Sequence, residues 1–352
     1  MKAAIIGLQQ SGKTTVFRSL TSIHSVSKEA RGQGIQIGNV KVPDTRLERL
    51  ADIFKPPKTI GADVDFMDMV GARTDQKGAG LTPQVVTEIR SVDALVVVVR
   101  AFDNASVIHP LGTIDPLRDM KNIEAELSLT DMIQIEKRLQ RIEKEHSDDR
   151  EKEALLRAKE WLDAENPLRL SEMNEPELRM LSGFSFLSQK PLMLLNNIGE
   201  ANVGEPFDQG LSDYAERNGL HLTQYCAEIE LEISELEPEE QEGFFAEMGL
   251  EGTGRERLIR NVYEMLHLIS FFTIADTEIR AWSIPEGTCA VNAAGKVHSD
   301  MERGFIRAEV INFEDFLQVG SMQAARDGGH LRLEGKDYEV RDGDLIRFRF
   351  NV

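Results

Sequence analysis

The chain has 352 residues, 60 acidic against 41 basic, with a formal net charge of −19; such a balance excludes broad, non-specific attraction to nucleic acid and leaves only a local patch for any RNA contact. Hydrophobic residues make up 41% and charged residues 29%, as in a soluble protein of two or three domains, and no apolar run approaches the roughly 20 residues of a membrane span. Two distant cysteines, Cys226 and Cys289, exclude a disulfide framework and a thiolate metal cluster, and Met1-Lys2-Ala3 has no signal-peptide character, so a cytoplasmic protein without membrane attachment is expected.

The first predicted element is the apolar strand Lys2-Ala-Ala-Ile-Ile-Gly7. It runs into Gly7-Leu-Gln-Gln-Ser-Gly12-Lys13-Thr14 and then an amphipathic helix beginning at Thr15. G-x-x-x-x-G-K-[ST] between a strand and a helix is a phosphate-binding loop. Gly7 and Gly12 allow the backbone to curve so that the amides of Gln10, Ser11, Gly12, Lys13, Thr14 and Thr15 face phosphate oxygens at a helix N-terminus. Lys13 reaches the terminal phosphates, and the Thr14 hydroxyl suits Mg²⁺. A nucleoside triphosphate site follows, with Lys13 and Thr14 in its catalytic set.

Leu47, Leu50, Ile53 and Phe54 then mark a helix by their spacing, and Asp63–Asp68 alternates as a strand. Asp65-Phe-Met-Asp68-Met-Val-Gly71 ends that strand in D-x-x-G, where Asp68 is placed to hold Mg²⁺ through water and the Gly71 amide to meet the γ-phosphate; Asp65 points the other way and reads as structural. Ala94–Arg100 is a strand covered on both faces. From about 118 to 185 apolar residues from Ile123 to Ile142 recur at three and four, break at Glu145–Arg150 and resume at Leu155–Leu162, the pattern of a helical hairpin. It serves either as a stabilising insertion or as an arm for a macromolecular partner.

Pro191–Asn197 and His221–Cys226 return to strand character. The first ends in Asn197-Ile-Gly-Glu200, where a GTPase would carry an aspartate for guanine; the second leads to Cys226-Ala227, whose backbone would border the base. From about Phe271, four alternating segments and the Asp342-Gly343 turn describe a compact mixed-sheet domain. The seven histidines form no metal or triad pattern. Arg280, Arg307, Arg347 and Arg349 fit a basic strip for RNA or an ordinary half-exposed sheet face equally well.

In this order the motifs resemble the YchF subfamily of Obg-like P-loop NTPases. Val42-Pro-Asp44, Asp115-Pro-Leu-Arg-Asp119, Asn197–Glu200, Lys296-Val-His298, Gly304–Val310 and Asp342–Val352 carry the likeness end to end. The resemblance implies an α/β fold: a G-type domain with a mostly parallel sheet (1–120 and 186–268), an inserted coiled-coil hairpin (121–185) and a C-terminal TGS domain of β-grasp shape (269–352). It implies ATP preferred over GTP through Asn197 and Glu200, Mg²⁺ as cofactor, and a monomer that meets the ribosome or rRNA through its TGS and helical parts. Three departures qualify it. Gln10 replaces an asparagine linked to K⁺ binding, which puts K⁺ activation in doubt. Ala72 after Gly71 has no side chain to orient water, so intrinsic hydrolysis should be slow. The Lys28–Gly38 stretch, with Lys28 and Arg31, lacks the threonine that usually completes Mg²⁺ coordination. The expectation is a slow ATPase acting as a ribosome-associated switch; a GTP-preferring enzyme and a nucleotide-binding module with negligible turnover are the alternatives.

Overall fold

The computed structural model describes residues 1–21, 35–69, 81–145, 149–237, 240–241, 253–275 and 277–351. Gly71, Ala72, Lys28 and Arg31 lie outside them. Contacts divide the chain into two units, 1–39 with 65–258 and 40–64 with 259–352.

In the first unit β1 (Lys2–Ile6) leads through the glycine loop into α1 (Lys13–Leu20), and β2 (Gln36–Lys41) follows. Two elements of the other unit intervene, α2 (Thr45–Phe54) and β3 (Lys58–Ile60), before β4 (Asp63–Asp68), α3 (Pro83–Arg90) and β5 (Ala94–Ala101). The long α4 (Pro116–Glu145) and α5 (Asp149–Asp163) form the helical hairpin, followed by α6 (Glu175–Leu181), β6 (Leu192–Ile198), α7 (Gln209–Arg217), β7 (His221–Tyr225) and α8 (Ala227–Glu235). The sheet order is β2-β4-β1-β5-β6-β7. Its pairs β1–β4, β1–β5, β5–β6 and β6–β7 are parallel, as apolar strands alternating with helices require. The chain leaves β1 toward β4 on one side and β5 on the other, so the ends of β1, β4 and β5 open at a topological switch point, where such sheets bind ligands.

The hairpin grows out of the sheet's own core. Met120, Ile123 and Leu127 of α4 are buried with the sheet residues, whereas Ile135 and Ile142 pack with Ala154, Leu155, Ala158 and Leu162 of α5. The change of partner occurs at Asp131. Its buried carboxylate accepts from the Leu187 and Ser188 amides (2.9 and 2.7 Å) and the Ser188 hydroxyl (2.7 Å), clamping α4 to the approach to β6. Among the described residues no helix is long and apolar enough to cross a membrane.

The second unit holds a mixed sheet. α9 (Gly254–Met265) precedes β8 (Leu268–Ala275) and β9 (Glu278–Pro285); then come α10 (Ala290–Val297), α11 (Ser299–Arg303), β10 (Phe305–Asn312), α12 (Phe313–Val319), α13 (Met322–Asp327), β11 (Arg332–Glu334) and β12 (Asp344–Phe350). The order is β11-β10-β12-β8-β9-β3, with α10 burying Ala290, Ala293 and Ala294 against Phe271, Val310 and Ile346 in a β-grasp arrangement. Residues 40–64 and 259–268, assigned to the nucleotide domain from sequence, group here instead. β3 pairs in parallel with β9, and Asp44, the N-cap of α2, holds Arg46, whose guanidinium also reaches Asp342 at 2.6 Å.

Candidate nucleotide site

The loop after β1 has the backbone that its glycines permit. Gly7, Gln10 and Gly12 have φ of +152°, +62° and +93°. Gly12 faces a second demand, because a Cβ there would lie 2.2 Å from Asn197 Nδ2. Only glycine both adopts this turn and admits the asparagine.

Asn197, at the end of β6, explains that crowding. Its Nδ2 donates to the Ser11 carbonyl at 2.9 Å and its Oδ1 accepts from the Ala227 amide at 3.1 Å. One side chain thus ties the phosphate loop to the start of α8. The sequence placed Asn197 at the base; in the structure it also braces the walls that would hold one. Ser11 is buried as a whole, its carbonyl taken by Asn197.

Lys13 curls back over the loop and donates to the Leu8 carbonyl at 2.6 Å. Burial lowers its pKa to about 8, against the opposing pull of Asp68. Asp68 ends β4, aligned with Ile5 of β1, and is fully buried. Neither of its carboxylate oxygens has a hydrogen-bond partner among the described residues. Burial raises its pKa, while the Thr14 hydroxyl, the Lys13 charge and the Met69 amide pull it the other way. A buried carboxylate left unpaired is costly. With the exposed Thr14 beside it, the donor set is the hard oxygen pair that suits Mg²⁺. Asp65 instead accepts from Asn39 at 2.9 Å, the structural role expected.

Beside the loop lies a cavity of about 500 Å³, lined by Gln10, Gly12 and Thr15, by Asn197 and Ala227, and by residues the sequence analysis missed, chiefly Phe102 and Leu231. Its size suits a nucleoside. Phe102 is held by the buried Arg100, whose guanidinium lies 4.6 Å from the ring and whose Nε donates to the Phe102 carbonyl at 3.1 Å. The available signal was an aromatic just past the C-terminal end of an apolar central strand, where α/β sheets bind ligands. The structure does not bring Glu200 into this cavity. Glu200 opens a 3-10 turn (Glu200–Asn202) and is exposed, and Cys226, buried as the N-cap of α8, does not line the cavity either. Burial raises the Cys226 thiol pKa, which marks it as an inert packing residue. No cluster of three or more His, Cys, Asp or Glu side chains suited to a metal occurs among the described residues.

This geometry has relatives. The family profile YchF-GTPase_C, described as a protein of unknown function (DUF933), matches residues 268–351. The chain is 38% identical over 364 residues to the ribosome-binding ATPase YchF of Bacillus subtilis (strain 168), covering 100% of both. It is likewise 38% identical to the ribosome-binding ATPase YchF of Escherichia coli O157:H7, covering 100% of this chain and 99% of that one. In structure it is similar to the YchF GTPase of Schizosaccharomyces pombe, with a TM-score of 0.89, 27% identity and coverage of 99% and 97%. A GTP-binding protein of Pyrococcus horikoshii OT3 shares the fold at a TM-score of 0.58 and 17% identity, each chain covered in full. By full-length identity and by fold, the chain belongs to the YchF family of P-loop NTPases.

Proposed function

We propose that the chain binds Mg²⁺ and a nucleoside triphosphate, ATP in preference to GTP, hydrolyses it slowly, and acts as a ribosome-associated switch. The observation that carries the reading is the buried, unpaired Asp68 carboxylate beside Lys13 and Thr14 at the end of a curved amide loop. The amides of Gly12 and Lys13 and the Lys13 charge stabilise the transferring phosphoryl group by position and electrostatics. Thr14 and Asp68 are the residues that would hold Mg²⁺, which would supply charge neutralisation to the triphosphate when bound. The Gly71 amide completes the γ-phosphate contact in this reading. Ala72 offers no side-chain hydrogen bond to water, so turnover is slow. Gln10 in the loop argues against a K⁺ requirement.

Base choice rests on the cavity. The one carboxylate placed to read guanine by sequence, Glu200, is exposed and off its wall, whereas Glu228 and Glu232 of α8 line it. A carboxylate reads guanine by accepting from N1–H and N2–H₂ together, and Glu200, the residue that would do so, lies off the wall, which supports ATP over GTP. In this reading the helical insertion (121–185) and the TGS domain (269–352) are the partner-binding modules of a nucleotide domain read from sequence as 1–120 and 186–268, of which 40–64 and 259–268 cluster with the second unit, and the protein works as a cytoplasmic monomer. The name ribosome-binding ATPase carried by its relatives supports the partner and the activity.

Calorimetric titration of ATP and GTP with Mg²⁺ tests the base assignment. ATP binding at least tenfold tighter is expected; equal or tighter GTP binding overturns it. Phosphate release measured with and without ribosomes separates a slow enzyme from a binding module, because the module releases none in either case.

A further inference from the structure

A groove of about 550 Å³ runs between α3 and α4, within the first unit and apart from the cavity beside the phosphate loop. Four of its twelve lining residues are cationic, Arg90, Lys137, Arg138 and Arg141, and none is acidic. In a chain with 60 acidic and 41 basic residues this is the local reversal of charge that any RNA contact would need. Lys137 and Arg141 are exposed and make no ion pair among the described residues, whereas Arg138 is spent on Glu151 at 2.7 Å. On α4 they stand three to four residues apart with Gln134, so they share one helix face.

The floor is apolar. Ile133 is 44% exposed, and the half-buried Phe184 is stacked on Phe186 with ring centroids 5.2 Å apart. Two of the lining residues, Gln134 and Arg90, have buried polar atoms (Oε1 and Nε) without hydrogen-bond partners among the described residues, while Gln134 Nε2 donates to the Phe184 carbonyl at 3.1 Å. A flat cationic surface would suit a duplex backbone. A groove with a cationic rim, an apolar floor and planar hydrogen-bonding groups suits unpaired nucleotides, whose bases leave the stack to meet protein while their phosphates meet cations.

We infer that this groove binds single-stranded RNA, with backbone phosphates on Lys137 and Arg141 and a base over Ile133 and Phe184. The inference sharpens the ribosome association proposed above but does not depend on the nucleotide site.

The test is fluorescence anisotropy of the full chain with a labelled 12-nucleotide single-stranded RNA of mixed sequence, over graded KCl. Lys137→Glu with Arg141→Glu is expected to weaken binding at least tenfold and to flatten the slope of log K against log[KCl] by about 1.4, two phosphates at about 0.7 each for a single strand. Ile133→Asn is expected to weaken binding with the slope unchanged, because it removes base contact and no charge. ATP affinity read on the same samples should not move, so failure here and failure of the nucleotide reading are distinguishable. An unchanged affinity and slope in the double variant overturns the inference, as does a wild type that fails to bind the RNA at 50 mM KCl. Loss on Arg307→Glu with Arg347→Glu instead places RNA on the C-terminal sheet and overturns it too. Loss of ribosome co-sedimentation in the double variant with unchanged RNA affinity assigns the groove to a protein partner, which likewise contradicts it.

Discussion

Asp68 and Asp131 are both fully buried aspartates of the same unit, and burial raises the pKa of each. They differ in what the fold provides. At the base of the helical hairpin, Asp131 receives two amides and a hydroxyl from Leu187 and Ser188. At the end of β4, Asp68 receives no completed hydrogen bond among the described residues. A fold that solves this problem fully at one place and leaves it open at another separates a carboxylate that holds structure from one whose partner comes from outside the chain.

Three substitutions test that contrast, and the strongest acts on the phosphates themselves. Lys13→Ala should reduce ATP turnover by about 10² to 10³, the usual size of losing one transition-state charge contact, as read by phosphate release; hydrolysis at the wild-type rate would remove Lys13 from the mechanism. Asp131→Ala should cost about 3 kcal/mol in urea denaturation, because three buried donors lose their acceptor. Asp68→Asn should leave stability unchanged or raise it by about 1 kcal/mol. The sign follows from the direction of its shift: an acid whose folded pKa lies above its unfolded value costs stability once pH exceeds that unfolded value, so a neutral amide removes the cost. If both variants destabilise alike, the distinction between the two aspartates is lost.

The pH dependence of binding is a smaller effect. With the Lys13 pKa near 8, the ammonium is charged below that pH and neutral above it. ATP affinity should therefore fall between pH 8 and 9.5, by at most about tenfold per unit, with proton uptake on binding visible as a buffer-dependent calorimetric heat. Smallest of all should be Glu200→Gln, which sits outside the cavity and should change ATP affinity less than twofold. A large loss would return Glu200 to base recognition.

What was legible in the sequence was what local chemistry determines. The phosphate loop reads directly because φ above zero at Gly7 and Gly12 leaves its mark as glycine. The helical hairpin and the C-terminal strands read from periods of 3.6 and 2. Pairing across long separations did not read. β3, three residues long, has no pattern to announce that it joins β9 more than 200 residues later. Phe102 was missed because it lies in the loop after β5, and its role comes from Arg100 beneath it and the cavity beside it. Asn197 and Glu200 look equivalent in a motif, but one points into the protein and the other into solvent.

Denaturant unfolding of the wild type and Asp68→Asn with saturating ATP, with and without Mg²⁺, tests the site most directly. A ligand at 100 times its Kd adds about 2.7 kcal/mol to the folded state. The wild type should gain stability when Mg²⁺ joins ATP, and Asp68→Asn should gain little beyond ATP alone. The same Mg²⁺-dependent gain in both proteins would contradict Asp68 as the carboxylate that serves the metal.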